Sequence, residues 1–435
     1  MARICTEPFS RALVVEGPHA ALDGYLLEAG MAAVRLDAVP DEDALIAEIH
    51  RTDAQVLFKR SRVPVTRRIV EACPGLYAVQ LCSIGTDSVD LDACAEHGVM
   101  VFNDPVSNGR SVVELAIGHI LALARRLYET DVAMNLHQWE KTAKGRFEVL
   151  GKELGIVGLG NIGRQVARAA EGLGMRVRFY DSRDVAQEVG VEMGWTRCDS
   201  LVDLFRTSDV VSIHTSAQDA QGSDNAGFLD AVLEELAAER PDPSPRIFLN
   251  LARGNLHASE ALLGAIEAGA IRRAAVDVFP SEPNPGQTDW KNPYAGEPRV
   301  TTTPHIGAST LEAQPRIARR VATTIRQFSE SGSLRDCVYA PRTTIELESS
   351  RGAAALAVVH SVSRGTKKAV DDAIFAAEVS NLGSSHRDFP NGIAYDLSVL
   401  DRPLQRDELD EPVERAATLA NEPRAIRSIR QVPLA

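Results

Sequence analysis

Positive charge is in short supply: 47 lysines and arginines stand against 60 aspartates and glutamates, a net charge of −13. That balance argues against nucleic acid as a partner, because such binders carry a basic face. An anionic ligand would need a local basic cluster to overcome the overall field. Aromatic residues make up only 5 %, so Ala, Val, Leu and Ile carry most of the 44 % hydrophobic content, a composition that suits buried parallel strands covered by helices. The six cysteines, Cys5, Cys73, Cys82, Cys94, Cys198 and Cys337, show no CxxC spacing. This excludes a disulfide framework and a cysteine zinc site and reads as free thiols in a reducing compartment, with no metal expected. Long apolar runs are missing as well. The start, MARICTEPFS, has no h-region, and VVELAIGHILALARRL, interrupted by Glu114 and His119, is too short and too polar to span a bilayer. A soluble, cytoplasmic protein without membrane contact is expected. No repeat or low-complexity tract stands out.

What is present is alternation. RALVVEG, AVRLD, AQVLFK, LYAVQLC and VMVFN read as strands separated by helical patterns, and a second series follows: ELGIVGLGNIG, RVRFYD, DVVSIHT, RIFLNLA, RAAVDVF and RVTTTPH. Such alternation predicts βαβ units and parallel sheets. Between the two series one long helix is predicted from Ser111 to about Thr130, with an apolar face broad enough to cover another subunit. A helix containing Pro315 follows the second series. The last ninety residues change character. AALAVVHSV, a helix over 366–377, IAYDLSVLD, a helix over 408–420, and AIRSIRQV suggest a small α+β module behind a polar linker, RTTIELESSRG.

GIVGLGNIGRQVARAAEGLGMRVRFYD sets Gly158, Gly160 and Gly163 in G-x-G-x-x-G spacing after an apolar strand and before an amphipathic helix. The first glycine allows the tight turn, the second the approach of a pyrophosphate, and the third close helix–strand packing. The helix N-terminus attracts the phosphates. Asp181 ends the next strand, where it can accept from a ribose diol and repel a 2′-phosphate, so NAD is expected over NADP. Oxidising an alcohol beside that cofactor requires a proton acceptor. His305, in TTTPHIGAST, suits the task because imidazole titrates near neutrality. Glu282, in AAVDVFPSEP, can orient the ring, and Arg253, in NLARGN, can hold a carboxylate bidentately. All three follow strands, at the sheet edge where ligands bind in such folds. FKRSRVP adds a local basic cluster of Lys59, Arg60 and Arg62 around Ser61.

The blocks VGLGNIGRQVA, NLARG, AAVDVFPSEP and TTPHIGAST resemble the signatures of the D-isomer-specific 2-hydroxyacid dehydrogenases. KRSR, CSIGTDSVDLDA, GVMVFNDPVSNGRSVVELAIG and WEK resemble members that act on a phosphorylated hydroxy acid. The resemblance covers the first 340 residues. It implies two Rossmann-like parallel-sheet domains, a discontinuous substrate-binding domain (1–108 and 309–335) and an NAD-binding domain (109–308), followed by an ACT-like α+β regulatory domain (345–435). Arg253, Glu282 and His305 are then the catalytic set. Asn161, Ile162, Asp181, Leu251, Ala252, Asp277, Ile306, Gly307 and Ala308 join the glycines, Arg253 and His305 around the cofactor, with Asp277 near the nicotinamide amide. Arg60, Ser61, Arg62, Asn108 and Lys141 contact the phosphorylated 2-hydroxy acid, the lysine from a neighbouring subunit of a dimer or tetramer that Trp139 helps to form. The chain departs from the pattern where His214-Thr215-Ser216 lacks a proline, and where the segment 216–245 is long and polar. The loop HSVSRGT also lacks the usual proline, so His360 and Asn381 are weak candidates for an amino-acid effector site. Two alternatives remain open: another D-2-hydroxyacid dehydrogenase, such as a hydroxypyruvate or glyoxylate reductase, and a dinucleotide-sensing corepressor-like protein. The catalytic set lies upstream of the tail, so a chain ending near Arg342 is expected to keep its hydride chemistry.

Overall fold

The computed structural model describes residues 2–36, 39–216, 224–238, 246–283, 287–340, 343–346 and 352–434. Much of the long segment over 216–245, Arg342 and most of the linker that follows it lie outside the described residues. The fold is α/β with parallel sheets. Two compact units are formed, Asn108–Ala313 on the one hand and Met1–Ser107 with Gln314–Ala435 on the other.

Asn108–Ala313 is built on seven parallel strands in the order Val300–Thr302, Arg273–Val276, Ile247–Asn250, Val210–Ile213, Glu153–Val157, Arg176–Tyr180, Thr196–Arg197. The central strands are apolar almost throughout, because helices cover both faces. Chain order reverses between Glu153–Val157 and Val210–Ile213, which opens a crevice at their carboxyl ends. Gly158, Asp181, His214, Leu251, Asp277 and Thr303 each directly follow a strand and so share that edge.

The helix expected to run to Thr130 ends sooner. It spans Gly109–Arg125, burying Val112, Val113, Ala116, Ile120 and Leu123, and Arg126 then turns left-handed at φ 57°. A second helix, Leu127–Asn135, buries none of its residues. No glycine or proline marks the break, and ARRLYET is made of residues that a helix accepts, so local sequence carries no stop signal there.

The other unit holds a five-stranded parallel sheet, in the order Ala32–Arg35, Arg11–Val14, Val56–Lys59, Ala78–Leu81, Met100–Phe102. It also holds a second five-stranded sheet: Arg3–Cys5, Ile426–Pro433, Ala354–Ser361, Ile393–Leu400, Asn381–Asp388. Two strands here escaped the sequence reading. Asn381–Asp388 is a polar, largely exposed edge strand without apolar alternation. Arg3–Cys5 comes from the opposite end of the chain and pairs in parallel with Ile426–Pro433. Arg3 is anchored by hydrogen bonds to the carbonyls of Val70, Cys73, Leu76 and His97 (2.7–2.9 Å).

The C-terminal sheet does not stand apart. Helices Thr366–Ala376 and Arg406–Ala420 cover one face, over Leu356, Val358 and Ile429. The other face, with Val359, Tyr395, Leu397 and Val432, joins the same core as Phe9 and Phe328. Buried Arg430 lies 3.7 Å over the Phe9 ring and 4.8 Å from that of Phe328, and donates to the Ser329 carbonyl (2.7 Å). Among the described residues the inner face of the tail is packed into that shared core.

Candidate active site

The glycine turn follows its strand by steric necessity. Gly158 sits at φ +90°, and a Cβ there would meet the His214 carbonyl oxygen at 2.8 Å. A Cβ on Gly163 would overlap the Gly158 carbonyl, whereas one on Gly160 would meet nothing nearer than Arg183 Nη2 at 4.0 Å. The open space at Gly160, beside the amide groups that begin the helix Asn161–Glu171, fits a pyrophosphate. Asn161 and Ile162 form the first helical turn and are half-buried. Asp181 is buried and accepts from the Leu159 amide (2.7 Å), while Arg183 binds it through backbone (2.9 Å) and guanidinium (2.7 Å). Burial raises its pKa, but the Arg183 contacts and the Leu159 amide outweigh this and hold the carboxyl below its ordinary range. A ribose hydroxyl would therefore share Asp181 with Arg183. His214 bonds Ser212 Oγ through Nε2 (2.9 Å), and burial of its ring pushes its pKa down to about 4.

His305 adopts φ +53°, a conformation in which a side chain costs about 1–3 kcal/mol. Asp277 holds the turn in place. The Asp277 carbonyl accepts from the His305 amide (2.8 Å), and its carboxylate accepts from Thr303 Oγ1 (2.6 Å), Ile306 N (2.9 Å) and Gly307 N (2.9 Å). Both Asp277 oxygens are thus committed to the loop that carries the histidine. Gly307 is buried, Ala308 half-buried and Ile306 exposed.

The imidazole so presented meets Glu282: Nδ1 lies 2.9 Å from Oε1 and 2.8 Å from Oε2. A carboxylate only accepts, so Nδ1 carries the proton and Nε2 keeps its lone pair. The Glu282 hydrogen bond raises the His305 pKa above its ordinary value, outweighing the opposing effects of burial and of the Arg253 charge. For Glu282, burial pushes upward, but His305, the Phe279 amide and Arg253 together leave it below its ordinary range. Arg253 follows Leu251 and Ala252 at the end of the strand Ile247–Asn250. Buried Asn250 fixes that bend, accepting from Ala252 N (3.1 Å) and donating to the Arg253 carbonyl (2.9 Å).

The basic loop belongs to the other unit. Arg60 is half-buried, and Ser61 and Arg62 are exposed. Lys59, expected to add to the cluster, is wholly buried instead, bonded to Ser88 Oγ (2.6 Å) and the Arg60 carbonyl (3.0 Å), and burial pushes its pKa down to about 8. The strand Val56–Lys59 is buried along its whole length, on both faces, and its last residue with it. The buried carboxylate of Glu16 organises the loop by accepting from the amides of Arg60, Arg62 (2.5 Å) and Val63 (2.7 Å). Sequence reasoning missed Glu16 and Asn250; the one available signal was a polar residue at the end of an apolar strand. Asn108 is buried ahead of its helix, while Lys141 and Trp139 are exposed. In the C-terminal sheet His360 is buried and Asn381 donates weakly to Ser398 Oγ (3.4 Å).

The profile of the D-isomer specific 2-hydroxyacid dehydrogenase NAD binding domain matches residues 117–307. The chain is 34 % identical to D-3-phosphoglycerate dehydrogenase of Escherichia coli (strain K12) over 388 residues, 89 % of this chain and 90 % of that protein. The chain belongs to the D-isomer specific 2-hydroxyacid dehydrogenase family. The dehydrogenase is also 37 % identical to D-3-phosphoglycerate dehydrogenase of Haemophilus influenzae over 67 % of this chain and 68 % of that one. Among solved structures it resembles the 2-hydroxyacid dehydrogenase of Ketogulonicigenium vulgare Y25, with TM-score 0.58 and 26 % identity over 74 % of this chain and 94 % of that chain. Its fold also resembles that of a glyoxylate reductase from Paecilomyes thermophila, with TM-score 0.64 and 24 % identity over 76 % of this chain and 98 % of that chain. The dehydrogenase is NAD-dependent. No helix among the described residues is long and apolar enough to cross a membrane.

Two expectations arise from this geometry. With His305 as the proton acceptor, alcohol oxidation would need it neutral, and Glu282 stabilises its protonated form. Activity in that direction should fall as pH drops through a pKa above the ordinary value of about 6.5. Glu282→Gln removes the main raising influence, so the acid limb of the kcat/KM profile should move to lower pH; an unmoved limb would separate the two residues functionally. Asp181→Ala takes a negative charge from the ribose position and leaves Arg183 in place. The ratio of kcat/KM for NAD over NADP should then fall about tenfold or more, measured with both cofactors on one preparation.

Proposed function

We propose that this dehydrogenase oxidises D-3-phosphoglycerate to 3-phosphohydroxypyruvate, the step that opens serine synthesis. The observation that carries the chemistry is the Glu282–His305 pair beside Arg253. NAD, when bound, supplies the hydride acceptor. The His305 Nε2 lone pair takes the hydroxyl proton while the C–H bond gives up its hydride, and the alcohol carbon becomes a carbonyl. Glu282 stabilises the resulting imidazolium. Arg253 holds the substrate carboxylate through paired N–H donors, which sets the hydroxyl-bearing carbon in a fixed position. Arg60, Ser61 and Arg62, together with Asn108 and Lys141, take the phosphate.

The remaining assignments follow the same reading. Leu251, Ala252, Ile306, Gly307 and Ala308 line the nicotinamide side of the cofactor. Leu127, Val132, Met134, Leu136 and Trp139, all exposed, give an apolar surface suited to a second copy of the chain. Residues 345–435 act as an ACT-like regulatory module. The names of the relatives support the phosphorylated substrate.

The deciding experiment is a substrate panel combined with Arg60→Ala. Losing a charged hydrogen bond of about 1.5–3 kcal/mol should lower kcat/KM for 3-phosphoglycerate roughly 10–150-fold. The change with an unphosphorylated D-2-hydroxy acid should be small. Equal losses on both, or a wild type that prefers the unphosphorylated acid, would remove the phosphate from the proposal.

A further inference from the structure

Three side chains of the C-terminal sheet converge away from the catalytic residues. His360 lies on the strand Ala354–Ser361, Asp396 on Ile393–Leu400 and His386 on the edge strand Asn381–Asp388. His386 is paired directly with Asp396 in the register, and His360 is two residues along from Val358, the partner of Asp396 on the other side. With a period of two, all three point to one face of the sheet. His360 Nε2 is 2.9 Å from Asp396 Oδ2, and His386 Nδ1 is 2.6 Å from Asp396 Oδ1. The far nitrogens also face acceptors: His360 Nδ1 is 2.7 Å from the Ser361 carbonyl, and His386 Nε2 is 3.0 Å from Asp388 Oδ1.

Carbonyls and carboxylates only accept hydrogen bonds, and a neutral imidazole has one N–H to donate. If each far nitrogen donates to its acceptor, each near nitrogen turns a lone pair toward Asp396. A dication placed in the gap would meet both lone pairs and the carboxylate at once. Two imidazole nitrogens and one carboxylate oxygen, within 4.8 Å of one another, are a donor set for zinc and its neighbours, with water completing a tetrahedron. Acceptors behind both histidines are the outer support such ligands ordinarily have. Bonds of about 2.0–2.1 Å place tetrahedral ligand atoms about 3.3 Å apart, so the two histidine–carboxylate contacts must open by roughly half an ångström while the widest separation in the trio, up to 4.8 Å, must close. His386, on the exposed edge strand, has room to do so. The Lys367 ammonium, 3.7 Å from Asp396 Oδ1 and 2.9 Å from Asp371, is the cation that competes for the carboxylate.

We propose that His360, His386 and Asp396 bind one divalent transition-metal ion, zinc or a chemical neighbour, which fastens the edge strand Asn381–Asp388 to the sheet. That strand offers almost no apolar contact of its own, so a metal clamp would supply what packing does not.

The test uses the full chain, stripped by a chelator and titrated with zinc chloride by calorimetry. One ion per chain is expected, with slower amide exchange across 381–388 once the ion is bound. Asp396→Asn, nearly isosteric, and His386→Ala, at an exposed position, should each weaken binding at least about tenfold while circular dichroism shows an intact fold. Lys367→Met should tighten it. Cobalt(II) gives an independent readout, because its tetrahedral absorption should appear in the wild type and be lost in Asp396→Asn. Zinc affinity unchanged in both ligand variants, or no binding by the wild type, would each overturn the site.

Discussion

His305→Ala should lower turnover by roughly 10²–10⁴-fold while NADH binding, followed by fluorescence titration, persists. The reason is geometric. Nδ1 is committed to Glu282, so Nε2 is the atom that receives the proton, and alanine offers nothing there. The backbone that carries residue 305 is held by Asp277 through its own carbonyl and through Thr303, Ile306 and Gly307. None of those bonds involves the imidazole, so the loop should survive the substitution and the loss should fall on kcat. Near-normal turnover in a folded variant would reassign the base.

Ending the chain after Ala340 should abolish a stable fold of the unit that contains Met1–Ser107, against the expectation that a chain ending near Arg342 stays active. Truncation removes Val359, Tyr395, Leu397, Arg430 and Val432 from a core they share with Phe9 and Phe328. It also strips Arg3–Cys5 of the one sheet partner it has among the described residues, Ile426–Pro433. Each large apolar side chain newly exposed costs about 1.5–3 kcal/mol, and a few of them equal the ~5–15 kcal/mol by which a domain is stable. Aggregation or a strongly lowered melting temperature is the expected result. A soluble, cooperative truncated chain with the wild-type melting temperature would show the tail to be dispensable for folding.

Local reading reached far in Asn108–Ala313 because its signals are short-range. Strands buried on both faces are apolar without interruption, and the spacing of Gly158, Gly160 and Gly163 reports a turn whose sterics are local. His305, Glu282 and Arg253 could be grouped from sequence for a related reason. Parallel strands with short loops deliver residues that follow them to one edge, however far apart they lie along the chain.

Other features escaped because they depend on distant partners. Lys59 belongs by sequence to a basic cluster, yet it ends a strand buried on both faces and bonds Ser88 there. Arg126 ends a helix with no local stop signal. Glu16 organises the Arg60–Arg62 loop from the bend that follows a different strand, Arg11–Val14. The His360–His386–Asp396 group arises from the register of three strands and has no spacing signature. The sequence by itself determined the alternation of strand and helix, the dinucleotide turn and the grouping of Arg253, Glu282 and His305 as candidates, since each follows from periodicity, glycine sterics or position at a strand end. Only the tertiary structure decided that the two ends of the chain share a sheet, that the tail shares the first domain's core, and which charges face inward, because burial and long-range pairing are properties of the assembled core.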